Sequence, residues 1–445
     1  MEARPLPPHP NLEQYKKQAK DLLKACTSAE PRAIRAWAGQ WFESCANDWV
    51  ETEARLRGIT VTQRLCELLE HEVVDRIEKN IRASKLSKPN PRLADAQFFV
   101  ARAHGFDSWP KFAKQVEALQ SGNSRDARFE AAADAVISGD IRTLERLLRG
   151  DPQLILTRSQ RVHSATVLHY VAANGVEDFR QKTPKNIVEI AKLLLDAGAD
   201  VNAESNAYGG GSTTLGLVAT SVHPERAGVQ EQLMQVLLDH GAIMDRPGVA
   251  GNRHTAVEGC LWNGRGKAAR FLASRGARLD LETAAGVGKF DVVKGYFSEN
   301  GALKPGATEE QLQRGFLWAC GYGHNDVVDF LLARGADLRD QANTGETALH
   351  FAVVGGELST IKLLLERGAP LEELNGYGGT ALGQAGWSFL NGDPEIDYVP
   401  VFETLLGAGA KIEDGWLAWL DKQESRPATA KARIAEVLRR YGAAT

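Results

Sequence analysis

The 445-residue chain is poor in cysteine: Cys26, Cys45, Cys66, Cys260 and Cys320 are odd in number, widely spaced and include no Cys-x-x-Cys pair. That spacing excludes a disulfide framework and a zinc knuckle, so free thiols in a reducing cytoplasm are expected. Long apolar runs are missing too. No window reaches the ~18 residues of a membrane span, and Met1 to Pro8 lacks the apolar stretch of a signal peptide. Neither export nor a membrane partner is expected. Surplus positive charge is absent: 53 Lys/Arg stand against 57 Asp/Glu, a net charge of −4, with 19 against 16 in residues 1–121 and 34 against 41 in the remainder. No nucleic-acid partner is expected from such a balance.

The signatures of catalysis are absent as well. A phosphate-binding loop needs a Gly five residues before its Gly-Lys, because backbone amides must wrap the phosphates. Gly266-Lys267 and Gly288-Lys289 have Leu261 and Thr283 there. Gly286-Val287-Gly288 lacks the third glycine of a dinucleotide turn, and His71-Glu72 is followed by Asp75 where a zinc helix has its second histidine. There is no Gly-x-Ser-x-Gly elbow, and no cysteine is paired in sequence with a histidine. No catalytic residue, metal ligand or cofactor is assigned.

What the chain has is repetition. The phrase Leu-Leu-x-x-Gly-Ala returns at Leu193 to Val201, Leu237 to Met244, Phe271 to Leu279, Phe330 to Leu338, Leu363 to Leu371 and Leu405 to Ile412, with degenerate copies at Tyr296 and Leu438. The glycines closing these copies are Gly198, Gly241, Gly276, Gly301, Gly335, Gly368, Gly409 and Gly442, at intervals of 43, 35, 25, 34, 33, 41 and 33 residues. Each copy ends a run with helical apolar spacing, and its Gly suits a left-handed C-cap. In the clearest unit, Thr344 to Ala369, Thr347-Ala-Leu-His350 opens a first helix, Gly355-Gly356 breaks it, and a second helix runs to the Gly-Ala cap. Thr166-Val-Leu-His169 repeats that opening.

This pattern resembles the ankyrin repeat, with its Thr-Pro-Leu-His-x-Ala signature and 33-residue period. The resemblance implies an all-α solenoid of about eight irregular helix-turn-helix units over residues 122–412, followed by a capping helix pair in 413–445. Extra residues fall around Val176 to Asn186, Ser221 to Ala227 and Phe389 to Asp397, whereas the 25-residue interval leaves no room for a turn finger before Leu281. Residues 1–121 have no Gly-Ala caps and read as helices over Asn11 to Cys26, Pro31 to about Cys45, Thr62 to Leu86, Arg92 to His104 and Trp109 to Leu119. Their phrases Pro10 to Ala25 and Leu93 to Leu119 resemble a helical module that precedes ankyrin repeats in many bacterial proteins. Phe106, Trp109 and Phe112 are expected to form an apolar knot, with Asp107-Ser108 capping the helix that follows.

The same resemblance implies that His169 and His350 bond between neighbouring turns, and that the two residues closing each first helix face a concave groove. Those pairs are Ala173-Asn174, Thr220-Ser221, Trp262-Asn263, Val287-Gly288, Gly321-Tyr322, Val354-Gly355 and Trp387-Ser388. Trp262, Asn263, Tyr322 and Trp387, with the finger residues His163, Tyr208, His254 and Tyr377, are the candidate partner-binding residues. Trp and Tyr bury large area at small entropic cost, which suits interface hot spots. Trp318 falls at an inward position and is expected in the core. The expected function is a cytoplasmic protein-binding scaffold. The alternative is a small-molecule pocket closed by the insertions, with chemistry from His163, His254 and the Asp393, Glu395 and Asp397 carboxylates.

Overall fold

The computed structural model describes residues 4–7, 10–43, 63–122, 124–245, 255–423 and 426–443. With 61% helix and 2% strand, the fold is all-α. No helix among the described residues is long and apolar enough to cross a membrane. The chain divides into two compact units, Met1–His254 and Thr255–Thr445.

The first unit opens with α1 (Leu12–Thr27), α2 (Ala33–Glu43), α3 (Gln63–Arg82), α4 (Leu93–Ala103) and α5 (Trp109–Gln120). In α1, Asn11 caps the helix by accepting the Glu13 amide, and Tyr15, Ala19 and Leu22 recur at helical spacing as its buried face. They pack with Trp37, Trp41, Phe99, Phe106 and Phe112 in one core. The knot is present: the rings of Phe106 and Trp109 both lie 5.5 Å from that of Phe112. The expected cap differs, because the Ser108 side chain makes no capping bond and Asp107 pairs with Lys111 at 2.7 Å instead.

Repeats follow without a break. The first-position elements α6 (Arg125–Ser138), a 3-10 helix (Val167–Ala172) and α9 (Thr214–Thr220) pack in sequence, and α6 also packs on α5. Behind them lie α7 (Ile141–Gly150), α8 (Ile187–Asp196) and α11 (Gln230–Asp239), with the short α10 (Val222–Arg226) in the expected insertion. The element that Thr166 opens is a six-residue 3-10 helix, closed by Ala173 in the left-handed conformation at φ 48. A two-stranded ribbon, β1 (Glu204–Ser205) and β2 (Ser212–Thr213), forms one finger.

The second unit has two layers. Its first helices are α12 (Ala256–Trp262), α14 (Leu281–Gly286), α16 (Glu309–Gly321), α18 (Ala348–Gly355) and α20 (Ala381–Asn391), each packed on the next. The second helices are α13 (Gly266–Ser274), α15 (Phe290–Gly295), α17 (Asn325–Leu332), α19 (Leu358–Glu366) and α21 (Val399–Gly407), followed by α22 (Trp416–Asp421) and α23 (Ala428–Arg440). Asp280 caps α14 directly, as the short interval requires, and α16 runs to 13 residues. All eight Gly-Ala glycines have φ between 84 and 99, where a side chain is strained. One apolar core runs through this unit from Leu281 to Leu438, and Trp318 is buried.

Candidate functional site

The first helices of the second unit start at equivalent caps. Thr255, Thr347 and Thr380 are the N-caps of α12, α18 and α20. Seven residues on, two helical turns away, stand Trp262, Val354 and Trp387. All three remain open to solvent, at 52%, 45% and 57% exposure. In α16 the corresponding place is Tyr322, two further turns along because that helix is longer.

Contacts join the ends of α12, α16 and α18, and α20 packs on α18 beside them. The Trp262 ring meets Trp318 edge-on at 5.7 Å, and the Tyr322 hydroxyl donates to the Leu261 carbonyl at 2.6 Å. At the far side of Tyr322, Gly321 and Gly355 abut so closely that a Cβ on Gly355 would overlap the Gly321 carbonyl oxygen. Val287, at the same place on the intervening α14, is buried, so α12, α16, α18 and α20 present a row of apolar or aromatic side chains. Val354 is a member that its side-chain type alone did not mark. Tyr322 is half-buried, its hydroxyl already engaged, so it supplies a wall rather than a free donor. Asn263 is exposed beside Trp262, its amide donating to Gly259 at 2.8 Å. On the finger before α20, Tyr377 is 82% exposed and Leu374 is exposed as well.

In the first unit Tyr208 stands exposed on its finger at φ 51. Its hydroxyl donates to Asn174 Oδ1 at 2.5 Å, and the Asn174 amide donates to Thr220 at 3.0 Å. The fold thus brings together a finger residue and the ends of two first-position elements. His254 lies outside the described residues.

His163 does not face solvent. It is buried, with Nδ1 accepting the Ala165 amide at 3.1 Å and Nε2 directed at Glu177 Oε2, 3.6 Å away. Glu177 belongs to a buried ionic cluster invisible in the sequence. Arg161 Nη1 lies 2.6 Å from Glu130 and 2.8 Å from Glu177, and Arg180 lies 2.7 Å from Glu130 and 3.2 Å from Glu177. Burial raises both carboxyls, but the two guanidiniums outweigh it and hold Glu177 well below, and Glu130 below, the ordinary carboxylate range. Glu177 and Arg180 come from the extra residues of the second unit of the repeat series, which turn inward rather than looping over the surface. Gln115 of α5 donates to Glu130 at 3.2 Å, so the front helices and the first repeats share this cluster.

A second cluster crosses α12, α14 and α16. Arg314 lies 2.7 Å from Glu282 and 3.3 Å from Glu258. Burial pushes Glu282 up to about 7 despite the guanidinium. Glu258 occupies the place where His169 and His350 stand in their units. Those two histidines bridge as expected, to Ser212 and Gly379 carbonyls at 3.3 and 3.1 Å, and burial lowers both.

The histidine–carboxylate chemistry considered from sequence is not assembled by these contacts. Asp393 and Asp397 each accept a backbone amide of their own loop, Asp397 also pairs with Arg433 at 2.9 Å, and His163 is occupied elsewhere. No group of three or more metal-ligating side chains occurs among the described residues.

Comparison with known proteins adds the following. A family model described as Ankyrin repeat matches residues 163–206, and one described as Ankyrin repeats (3 copies) matches residues 316–414. Inversin of Danio rerio is 40% identical over 62 residues, 14% of this chain and 6% of inversin. The E3 ubiquitin-protein ligase XBAT33 of Arabidopsis thaliana is 35% identical over 108 residues, 24% of this chain and 21% of that protein. The matches therefore span only 6% and 21% of these relatives' own lengths. The crystal structure of the human ASB11 ankyrin repeat domain aligns with 63% of this chain and 99% of that domain at 21% identity and a TM-score of 0.33.

Proposed function

The chain is an ankyrin-repeat protein, and from that premise we propose that it is a binding scaffold holding a protein partner on the row Trp262, Tyr322, Val354 and Trp387, as the concave face of its second unit. Ankyrin repeats generally mediate protein–protein interaction. The observation that carries the reading is the exposure of two tryptophans and a valine at one register position of packed helices. A soluble chain gains nothing by leaving such side chains in water, whereas a partner that covers each ring recovers roughly 1.5–3 kcal/mol of apolar burial. Tyr377 on its finger, with Asn263 beside Trp262, extends the surface, and Tyr208 offers a separate aromatic contact in the first unit. The helices of 1–121 and the pair in 413–445 serve to cap the repeats of 122–412 beside them. Cys26, Cys66, Cys260 and Cys320 form no disulfide, in keeping with a reducing cytoplasm, and the resemblance of the front helices favours a bacterial source.

The test uses the full chain as bait in a cell lysate, wild type beside the Trp262→Ala/Trp387→Ala variant, after circular dichroism shows both folded. A protein retained by the wild type and lost from the variant supports the reading. Equal retention by both baits overturns it.

A further inference from the structure

Charge is distributed unevenly around the row. Residues 331–420, which contain Val354, Leu374, Tyr377 and Trp387, carry five Lys/Arg against thirteen Asp/Glu, a net charge of −8. Because the whole chain is −4, all other residues together sum to +4. Near Trp262 the sign reverses: residues 255–295 hold seven Lys/Arg against four Asp/Glu, a net charge of +3. The repeats that carry the row therefore run from a net basic segment to a strongly acidic one.

The acidic end is also uncompensated where it meets the exposed side chains. Asp337, Asp340 and Glu346 sit on the finger before α18, and Glu372 and Glu373 sit on the finger before α20, immediately ahead of exposed Leu374. The Gly376 amide donates to the Thr344 carbonyl at 2.9 Å, so the two fingers that carry these carboxylates lie side by side. Three of the five are bonded to backbone amides: Asp337 to Arg339, Asp340 to Gln341 and Glu372 to Lys411. Such bonds leave the full negative charge in place. Among the described residues none of the five stands in an ion pair, whereas Asp397 and Glu403 elsewhere in this stretch are each paired with an arginine.

We infer that the occupant of this end of the row is a cationic, partly apolar protein segment, with Lys or Arg side chains set between aliphatic or aromatic ones. The inference rests on the scaffold reading above and gives its partner a chemistry. Exposed indole and phenol faces attract guanidinium and ammonium groups. The finger carboxylates complement the same cations, speed their approach and make it sensitive to salt. Trp387 and Val354 take the apolar residues between them. An acidic segment meets like charge here, and a nucleic acid is repelled outright.

The test selects phage-displayed random dodecapeptides on the immobilised full chain, then measures the enriched peptides in solution against three proteins: wild type, Glu372→Lys/Glu373→Lys and Trp262→Ala/Trp387→Ala. The expected peptides carry net positive charge together with apolar residues, and bind the charge-reversed protein about tenfold more weakly. Enrichment of neutral or acidic peptides, no enrichment at all, or equal affinity for the charge-reversed protein overturns the inference. Loss of binding to the tryptophan variant with no loss to the charge-reversed one keeps the row and discards the cation. Equal affinity for the tryptophan variant discards the row itself. Circular dichroism of each variant separates these outcomes from misfolding.

Discussion

His104 shows how one buried side chain fixes the behaviour of the front helices in acid. Its ring stacks on Phe112 at 5.2 Å, and burial together with the nearby Arg4 guanidinium lowers it to about 3. An unfolded histidine titrates near 6.5, so between those values the unfolded chain binds a proton that the folded chain refuses. Stability from this residue is complete above pH 6.5 and is lost as the pH falls, by about 2 kcal/mol at pH 5. Urea unfolding at pH 7 and pH 5 should show a smaller loss for His104→Phe than for the wild type; identical losses would contradict the assignment. The Glu130, Arg161, Glu177 and Arg180 cluster makes a sharper case. Glu177→Gln leaves Arg161 with Glu130 alone and Arg180 with Glu130 and Asp134, and should cost about 3–5 kcal/mol, seen as a lower thermal midpoint. Nothing in the sequence marked these residues as partners, because Glu130 and Arg180 stand fifty positions apart and an insertion is normally read as a surface loop.

Among the helices, glycine sets how closely neighbours approach. Gly355 of α18 meets the end of α16 at Gly321 with no room for a methyl group, so Gly355→Ala must push the two helices apart and should cost about 1–3 kcal/mol. The same change at Gly368, a φ 84 cap with open space around it, would act through backbone strain alone, and comparing the two thermal midpoints separates contact from conformation. Elements of this kind were largely legible. The Gly-Ala phrase marked the helix stops because left-handed φ leaves glycine almost without competition, and the missing finger before Leu281 followed from counting residues. The 3-10 helix at Val167 to Ala172 was not legible. Its sequence has the same Thr-x-Leu-His opening as α18, and both end in a left-handed turn, but at Ala173 that turn comes two residues sooner after the threonine than at Gly356. Orientation of single side chains was harder still: His163 and Tyr208 read alike as finger residues, yet one is sealed against Glu177 and the other stands in solvent.

For the molecule as a whole, the repeats divide the work between a sealed interior and an exposed row. The register of Trp262 and Trp387 could be counted from their caps, but their exposure could not, since a loop of the length of 389–397 could have covered Trp387. It does not; Ile396 packs toward Gly356 and Tyr398 donates to the Val354 carbonyl at 2.9 Å. Binding that depends on the acidic end should weaken as salt rises, whereas binding carried by the rings should not. The most direct measurement is calorimetric titration of a captured partner into the wild type and into the Trp262→Ala/Trp387→Ala variant. If the row is the binding surface, the two truncations weaken binding by at least about a hundredfold while the thermal midpoint stays within a few degrees. Equal affinity for a folded variant would contradict the account.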